Sequence, residues 1–409
     1  MNRKLLRQTA TEWRINLWLA LELLIVSVVT WYIADYLYMT WHTTSKPMGY
    51  ATDNCFRVKV GMLTPEAEGY DDSRNNTYAY YSDYQELLDR VRHRDGGEAA
   101  AWAMHAVPYT GEKMQNHLIV DTLRISGLAR LGTSELPLVL RCRGIRGETP
   151  EQLAEIMKRK EAIVTADAFP GVDDPASLIG DTVFFPDFGD VRLRIGAVIE
   201  PMRYDRYERN NDASYMFAIG GMMTLDMVVR VSPEHFAGFA DAMLDDAEGS
   251  MRVGNYYVAS VNSLDWIRER YESPNSTKVW SHVTGAVFLL VNIFLGLLGT
   301  FWFRTRHRVS EIAIRKVNGA TRVDIFRRLL GEGLLILTAV TVVAFGVDVL
   351  LAHYQINEPG DTGLYLEWGR VGVCALLTYV VLAMMVTAGI AIPAWRAMKT
   401  APAEVLHDE

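Results

Sequence analysis

The chain has 409 residues, of which 50% are hydrophobic and 22% charged, and its mean hydropathy is +0.04. These values exclude both a fully soluble globule and a wholly embedded helical bundle, so we expect a membrane part joined to a folded aqueous part. The formal net charge of −8 is unevenly spread, because Lys and Arg gather beside apolar runs while acidic residues crowd residues 40–278. An acidic aqueous part argues against nucleic acid as a partner.

In chain order, four apolar segments are long enough to cross about 30 Å of hydrocarbon as helices. They are residues 17–39, 279–303, 329–352 and 371–393. The first lacks the small-residue cleavage site of a signal peptide, so we expect a retained anchor. The sequence therefore predicts one span before a large domain at residues 40–278 and three spans after it.

Basic residues indicate which side of the membrane each connecting segment faces. They cluster in residues 1–16, in the loop 304–328, which holds eight Lys or Arg, and in the tail 394–409. The loop 353–370 instead carries three carboxylates and one Arg. Because basic loops stay on the cytoplasmic side, we predict that both termini and loop 304–328 are cytoplasmic and that residues 40–278 face outward.

Four acidic residues fall within the predicted spans. They are Glu22, Asp35, Glu332 and Asp348. An intramembrane acid is a functional hypothesis by default, but a proton or ion relay needs several acids at mid-depth, and these lie nearer the span ends. We therefore expect interfacial placement or a neighbouring helix to satisfy the carboxylates.

The segment between the first two spans has the mixed pattern of an α+β domain, and we expect two lobes, one of them assembled from both ends of the segment. The predicted helices are 84–94, 150–160 with Thr149 as N-cap, and 233–244 with Ser232 as cap, and the predicted strands are 55–62, 117–125, 136–141, 162–165, 182–185, 191–199 and 224–231. Ser and Thr are favoured N-caps because their hydroxyls accept from the first free backbone N–H groups.

Residues that carry enzyme chemistry form no recognisable motif in this domain. Its histidines are scattered, without the H-E-x-x-H pattern or the Cys/His spacing of a zinc site. No Ser lies in a G-x-S-x-G setting. We therefore predict no catalytic residue, no metal and no bound cofactor on this chain.

Two further features leave alternatives open. Cys55 and Cys142 are either bridged in an oxidising compartment or free and buried, since their separation carries no spacing signature. An aromatic cluster is either a partner-binding face or ordinary core. Its members are Tyr70, Tyr78, Tyr80, Tyr81 and Tyr84.

The loop 304–328 contains a short amphipathic helix. Apolar positions are Val309, Ile312, Ile314, Val317 and Ile325, and cationic positions are Arg315, Lys316, Arg322, Arg327 and Arg328. Ser310 is a candidate cap, Glu311 suits the helix start, and Asn318-Gly319 predicts a left-handed stop. Composition alone favours a basic helix held at the surface by anionic lipid head groups.

Two segments predicted to be cytoplasmic carry recognisable motifs, SEIAIRKVNGAT at Ser310–Thr321 and IPAWRAMKTAPAEVL at Ile392–Leu406. The first resembles the motif after the second span, and the second the closing segment, of the FtsX/MacB-like ABC transporter permeases, a mechanotransmission family of the type VII ABC superfamily. Phe169–Ile199 is similar, more weakly, to the MacB-like periplasmic core domain. The resemblance implies an FtsX-like permease domain at 279–400 and an outer domain with a porter lobe and an inserted second lobe.

The resemblance also implies how the loop acts. It makes the loop a coupling segment that docks on a cytoplasmic ABC ATPase. The implied docking residues are Glu311, Ile312, Ile314, Arg315, Lys316, Val317, Asn318 and Gly319. The chain has no G-x-x-x-x-G-K-[ST] phosphate loop, so ATP and Mg would be bound by that separate partner.

The same resemblance implies partners and a location. A single four-span unit should pair with a second permease protomer, identical or related, in the bacterial inner membrane, surrounded by lipid. Export or extrusion of a periplasmic substrate or lipoprotein, with a periplasmic adaptor, is the expected function. The alternative is an FtsX-like regulator of a cell-wall hydrolase, although that relative has a smaller outer domain. A ligand-sensing receptor would need a cytoplasmic signalling module, for which the tail after Trp395 is too short.

Overall fold

The computed structural model describes residues 13–189, 191–207, 213–218, 225–307, 309–354 and 367–399. The chain divides into two compact units. The membrane unit comprises Met1–His42 and Thr277–Glu409, and the sheet unit comprises Thr43–Ser276. The predicted basic residues before Trp13, most of the outer loop 353–370 and the tail beyond Lys399 lie outside the described residues.

The described helices include four that are long and apolar enough to cross a membrane. In chain order the helices are α1 (Trp13–Thr44), α2 (Thr77–Arg92), α3 (Leu136–Leu140), α4 (Pro150–Lys158), α5 (Phe236–Asp245), α6 (Leu264–His307), α7 (Val309–Val317), α8 (Arg322–His353) and α9 (Trp368–Lys399). The membrane-crossing helices are α1, α6, α8 and α9. The predicted fold class, with one span before a sheet-rich domain and three after it, is confirmed.

Apolar side chains from all four long helices pack together in the membrane unit. Leu23 of α1, Leu297 of α6, Leu337 of α8 and Val386 of α9 are each fully buried in one cluster. Each of these helices extends beyond its predicted apolar span, because a helix ends where capping or chain direction ends it rather than where hydrophobicity falls. The cluster joins the N-terminal span to the three C-terminal spans.

The sheet unit contains strands that form one continuous sheet. They are β1 (Cys55–Met62), β2 (Gly97–Met104), β3 (Gln115–Val120), β4 (Leu123–Gly132), β5 (Ala162–Thr165), β6 (Thr182–Phe185), β7 (Val191–Ile199), β8 (Ser214–Ala218), β9 (Asp226–Val231), β10 (Arg252–Val253) and β11 (Tyr256–Ser263). Their order in the sheet is β10-β11-β1-β9-β2-β4-β3-β6-β7-β5-β8.

The sheet is divided into two lobes by its connectivity. Strands β10, β11, β1, β9 and β2 lie side by side and come from both ends of the segment, as predicted for one lobe. Strand β8 pairs in parallel with β4, so β4, β3, β6, β7, β5 and β8 close on themselves to form the second lobe. The pair Ala103–Gly132 joins the two lobes through β2 and β4.

Two predicted strands are wrong. Residues 136–141 form α3, because Pro137 suits the first turn of a helix and Arg141 ends it in the left-handed conformation at φ 49°. A short apolar run does not distinguish a buried strand from a helix by periodicity alone. Residues 117–125 span the hairpin of β3 and β4, which turns at Asp121 with φ 52°.

The helix predicted at residues 233–244 begins later than expected. It starts at Phe236, and its N-cap is His235, without a side-chain capping bond. The predicted cap Ser232 instead shares a hydrogen bond of 2.9 Å with the His235 ring. By contrast, Thr149 does cap α4, with a complete capping box.

The structure bears on the two alternatives left open by the sequence, the pairing of Cys55 with Cys142 and the role of the tyrosine cluster. Cys55 and Cys142 are both buried and free, and burial raises the pKa of each thiol to about 12. In the aromatic cluster, Tyr84 is buried in the first lobe, whereas Tyr78 is 83% exposed and Tyr81 is 43% exposed. The tyrosines on α2 therefore divide between core and surface according to their position around the helix.

Candidate functional site

Helix α7 ends in a complete backbone stop. The N–H of Ala320 donates to the carbonyl of Arg315 at 3.0 Å, and the N–H of Gly319 donates to the carbonyl of Lys316 at 3.0 Å. This pair of bonds is the Schellman motif, which requires a left-handed residue just past the helix. Gly319 supplies it with φ 86°, so the stop predicted from Asn318-Gly319 is confirmed.

Helix α8 begins immediately after this stop. Thr321 is its N-cap: the Thr321 hydroxyl accepts from the Asp324 N–H at 3.2 Å, and the Asp324 carboxylate accepts from the Thr321 N–H at 3.1 Å. Such a capping box satisfies two backbone donors reciprocally. The two helices are thus joined by a short turn whose ends are both fixed by hydrogen bonds.

One side of α7 is packed inside the membrane unit. Ile312 and Ala313 are 5% and 4% exposed, and Ile325 of α8 is 3% exposed. Ile312 and Ile325 belong to the same apolar cluster as the spanning helices. Burial of this side holds α7 against the bundle.

The other side of α7 presents apolar surface to its surroundings. Ile314 is 50% exposed and Val317 is 66% exposed, and Val323 in the first turn of α8 is 55% exposed. Asn318 and Gly319 are exposed between them. Ile314, Val317 and Val323 together form the surface called the apolar docking face below.

Charged side chains connect α7 to α8. Arg315 donates to Glu311 from Nη2 at 2.7 Å and from Nε at 3.0 Å. Arg328 of α8 lies 3.9 Å from the same Glu311 oxygen and 3.6 Å from Glu332. Glu311 therefore lies between two arginines on different helices.

The structure brings most of the predicted docking residues to one helix but not to one face. Ile314, Val317, Asn318 and Gly319 lie on the exposed side. Ile312 lies inside the bundle, because residues two apart point to different sides of a helix. Arg315, Lys316 and Glu311 are half-buried.

Two details of this region differ from expectation. Ser310 lies within α7, which starts at Val309, so it is not the residue preceding the helix. Val323 and Arg328 join the site although neither was among the predicted docking residues. Arg328 is brought to α7 by its contact with Glu311, which the sequence alone does not show.

Residues 283–402 match the family model of the FtsX-like permease C-terminal region. The membrane unit contains an FtsX-like permease domain. The motif SEIAIRKVNGAT at Ser310–Thr321 lies within this match, so the resemblance found in the sequence is confirmed there. The apolar docking face therefore lies within the part of the chain that matches the FtsX-like permease family.

Solved structures similar to this chain include the outer parts of two transporters. The extracellular domain of the noncanonic ABC-type transporter YknZ from Gram-positive bacteria shares 9% identity, covers 50% of this chain and 100% of its own, and has a TM-score of 0.31. The periplasmic region of MacB from Actinobacillus actinomycetemcomitans shares 11% identity, covers 54% of this chain and 94% of its own, and has a TM-score of 0.31. No curated protein matches the chain.

Proposed function

We propose that this chain is the permease subunit of an ABC-type complex, and that it transmits ATP hydrolysis by a separate cytoplasmic ATPase to its outer domain. The observation that carries the proposal is the apolar docking face on a helix with a fixed end. A docking helix must present surface to a partner and pass on displacement. Ile314 and Val317 supply the surface, and the Gly319 stop supplies the fixed end.

Displacement of α7 has a physical route into the bundle. Ile312 is buried with Ile325 and the spanning helices, and Glu311 is placed between Arg315 and Arg328. A push on the exposed side of α7 would therefore be resisted by side chains of α8 rather than absorbed by a loose loop. Tight interiors transmit such strain because they have low compressibility.

Lipid binding explains the same region less well. An interfacial helix places its apolar side in the lipid and its cationic side toward head groups. Here the inner apolar side, with Ile312, is occupied by the protein itself. The second apolar side, with Ile314 and Val317, is on the outside, and the charge of Arg315 is already paired with Glu311.

We further propose that two permease protomers assemble, giving two docking faces for an ATPase dimer, in a bacterial inner membrane with the sheet unit outside. Export or extrusion of a periplasmic substrate or lipoprotein follows from this arrangement. ATP and Mg are held by the partner ATPase. Catalysis is thus assigned to the partner and force transmission to this chain.

Site-specific photo-crosslinking tests the docking assignment. A photo-reactive amino acid replaces Val317 in the full-length chain in native membranes, and a second variant carries it at Val342, which is 73% exposed in the middle of α8. We expect the Val317 probe to capture a protein that hydrolyses ATP. We expect the Val342 probe to capture lipid or another spanning helix.

The outcomes discriminate between the hypotheses. Capture of lipid alone from Val317 would contradict the coupling role and restore the interfacial helix. Mass spectrometry of the captured protein identifies a nucleotide-binding subunit by its phosphate-loop peptide. Co-purification of a cell-wall hydrolase through the sheet unit, together with the ATPase, would favour the regulator over the exporter.

A further inference from the structure

The acids within the spans are not alike in their surroundings. The Thr300 hydroxyl donates to Glu22 at 3.0 Å. Glu332 lies 3.6 Å from Arg328, one helical turn away. For these carboxylates a neighbouring helix or turn supplies the partner that the sequence led us to expect.

Asp35 has the strongest partner of the set. The guanidinium of Arg370 donates from Nε to Asp35 Oδ1 at 2.7 Å and from Nη2 to Oδ2 at 2.8 Å. Both residues are almost fully buried, at 1% and 2% exposed. This bidentate pair joins α1 to the start of α9 and uses both oxygens of the Asp35 carboxylate.

Asp348 of α8 is the exception. It is 3% exposed, and within the described part of the chain its Oδ1 has no hydrogen-bond partner. It lies within electrostatic range of Asp35. The nearby Cys374 thiol donates to Asp35 at 3.9 Å and interacts electrostatically with Asp348 as well.

The charges of this cluster do not balance if both acids are ionised. Asp35 and Asp348 carry two negative charges, and Arg370 supplies one positive charge that already faces Asp35 at both oxygens. An isolated ionised carboxylate in an apolar interior is so unfavourable that the group takes up a proton instead. The nearby carboxylate of Asp35 makes ionisation of Asp348 still less favourable, because two carboxyl groups that share a site do not readily both ionise.

The surroundings of Asp348 are apolar. Trp31 of α1, Ala352 of α8 and Val371 of α9 are buried in the same small cluster as Cys374. Electrostatic repulsion is weakly screened in such an environment. Asp348 lies five residues before the end of α8, about 8 Å along the helix axis at 1.5 Å per residue.

We propose that Asp348 is a proton-binding site at the outward end of the bundle, and that its carboxyl is neutral when α1, α8 and α9 are packed. The Asp35–Arg370 pair remains ionised and fastens α1 to α9. Occupancy of the proton site then follows the pH of the outer compartment. Loss of the proton places an uncompensated charge at the junction and loosens it.

The other titratable groups facing this carboxyl are few among the described residues. Helix α1 contributes Asp35, and α9 contributes Cys374 together with Arg370, the partner of Asp35. Tyr38 of α1 packs against the neighbouring apolar cluster. The exposed His353 lies at the end of α8 itself. No group of three or more metal-binding side chains occurs in the part of the chain that the structure describes.

Infrared spectroscopy of the full-length chain in detergent tests the proposal directly. We expect wild type at neutral pH to show the carbonyl stretch of a protonated carboxyl, and Asp348→Asn to lose it. Glu367→Gln is the matched control, because Glu367 is exposed near the start of α9. That substitution should leave the band unchanged.

Thermal unfolding supplies an independent readout. Asp348→Asn should fold normally. It should lose the fall in stability that wild type shows as the pH rises from about 4, where an unfolded Asp ionises, to the pH at which the buried carboxyl of the folded chain ionises. Asp35→Asn should instead unfold at a markedly lower temperature, because it leaves Arg370 buried without its carboxylate. Unchanged infrared spectra, equal damage by both substitutions, or stabilisation of wild type by sodium at constant pH would overturn the proposal.

Discussion

Replacing the apolar docking face by Ser should weaken ATPase binding without unfolding the permease. Full burial of an aliphatic side chain is worth roughly 1.5–3 kcal/mol. Val317 is 66% exposed. Burying this exposed part on docking therefore contributes about 1 kcal/mol, or roughly a fivefold change in Kd. Ile314 and Val323, each about half exposed, contribute similar amounts, and the triple variant should bind about 100-fold more weakly.

Ser is the informative replacement because its helix propensity is close to those of Ile and Val. The assay titrates the ATPase identified by crosslinking against full-length permease in nanodiscs. Leu225→Ser is the matched control, since Leu225 is 53% exposed in the sheet unit. A triple variant that binds within twofold of wild type would refute the docking face, whereas Ile312→Ser should destabilise the bundle because Ile312 is buried.

Three further measurements address the stop, the thiols and the acid response. Gly319→Ala should cost about 1 kcal/mol, because a Cβ is strained at φ 86° even though it would meet no atom within 4 Å, and should lower ATP-driven activity while membrane insertion persists. Since burial raises the pKa of the Cys55 thiol to about 12, maleimide should modify Cys55 only after denaturation. Hydrogen bonds from Ser250 and then Arg94 lower the pKa of Asp246 to about 2. The stabilising contribution of the ionised Asp246 is therefore present above about pH 4 and is lost as the pH falls toward 2. Asp246→Asn should remove this loss of stability between about pH 4 and pH 2 in an acid unfolding curve.

The sequence predicted secondary structure best where apolar residues form a long run or a regular alternation. Four apolar runs predicted the spanning helices, and residues 162–165 and 191–199 were predicted with the bounds that β5 and β7 have. Strand β2 was missed because Gly97–Met104 is rich in Ala, which has little intrinsic strand preference. It becomes a strand because β9 and β4 supply partners on both sides.

The charged residues of the membrane unit show a second limit of prediction from the sequence. The sequence places Asp35 and Arg370 335 positions apart, and nothing local relates them. Only the packing of α1 against α9 makes them a pair and leaves Asp348 outside it. Sequence reasoning could therefore identify the acids but not which of them lacks a partner, since that depends on tertiary contacts.

In helix α7 the positions of the apolar residues matter more for packing than the charges do. The sequence predicted one apolar and one cationic side for this helix. In the structure the apolar residues lie on two sides, since Ile312 is buried in the bundle and Ile314 is exposed. A buried Ile is worth about 2–5 kcal/mol by truncation, whereas half-exposed pairs such as Glu311–Arg315 are worth at most about 1 kcal/mol. Packing of Ile312 thus fixes α7 to α8, and Glu311 mainly sets its orientation through Arg328. Reversing the charge of Arg315 would disturb that internal contact as well as any partner, so the exposed apolar residues are the positions at which docking can be separated from force transmission.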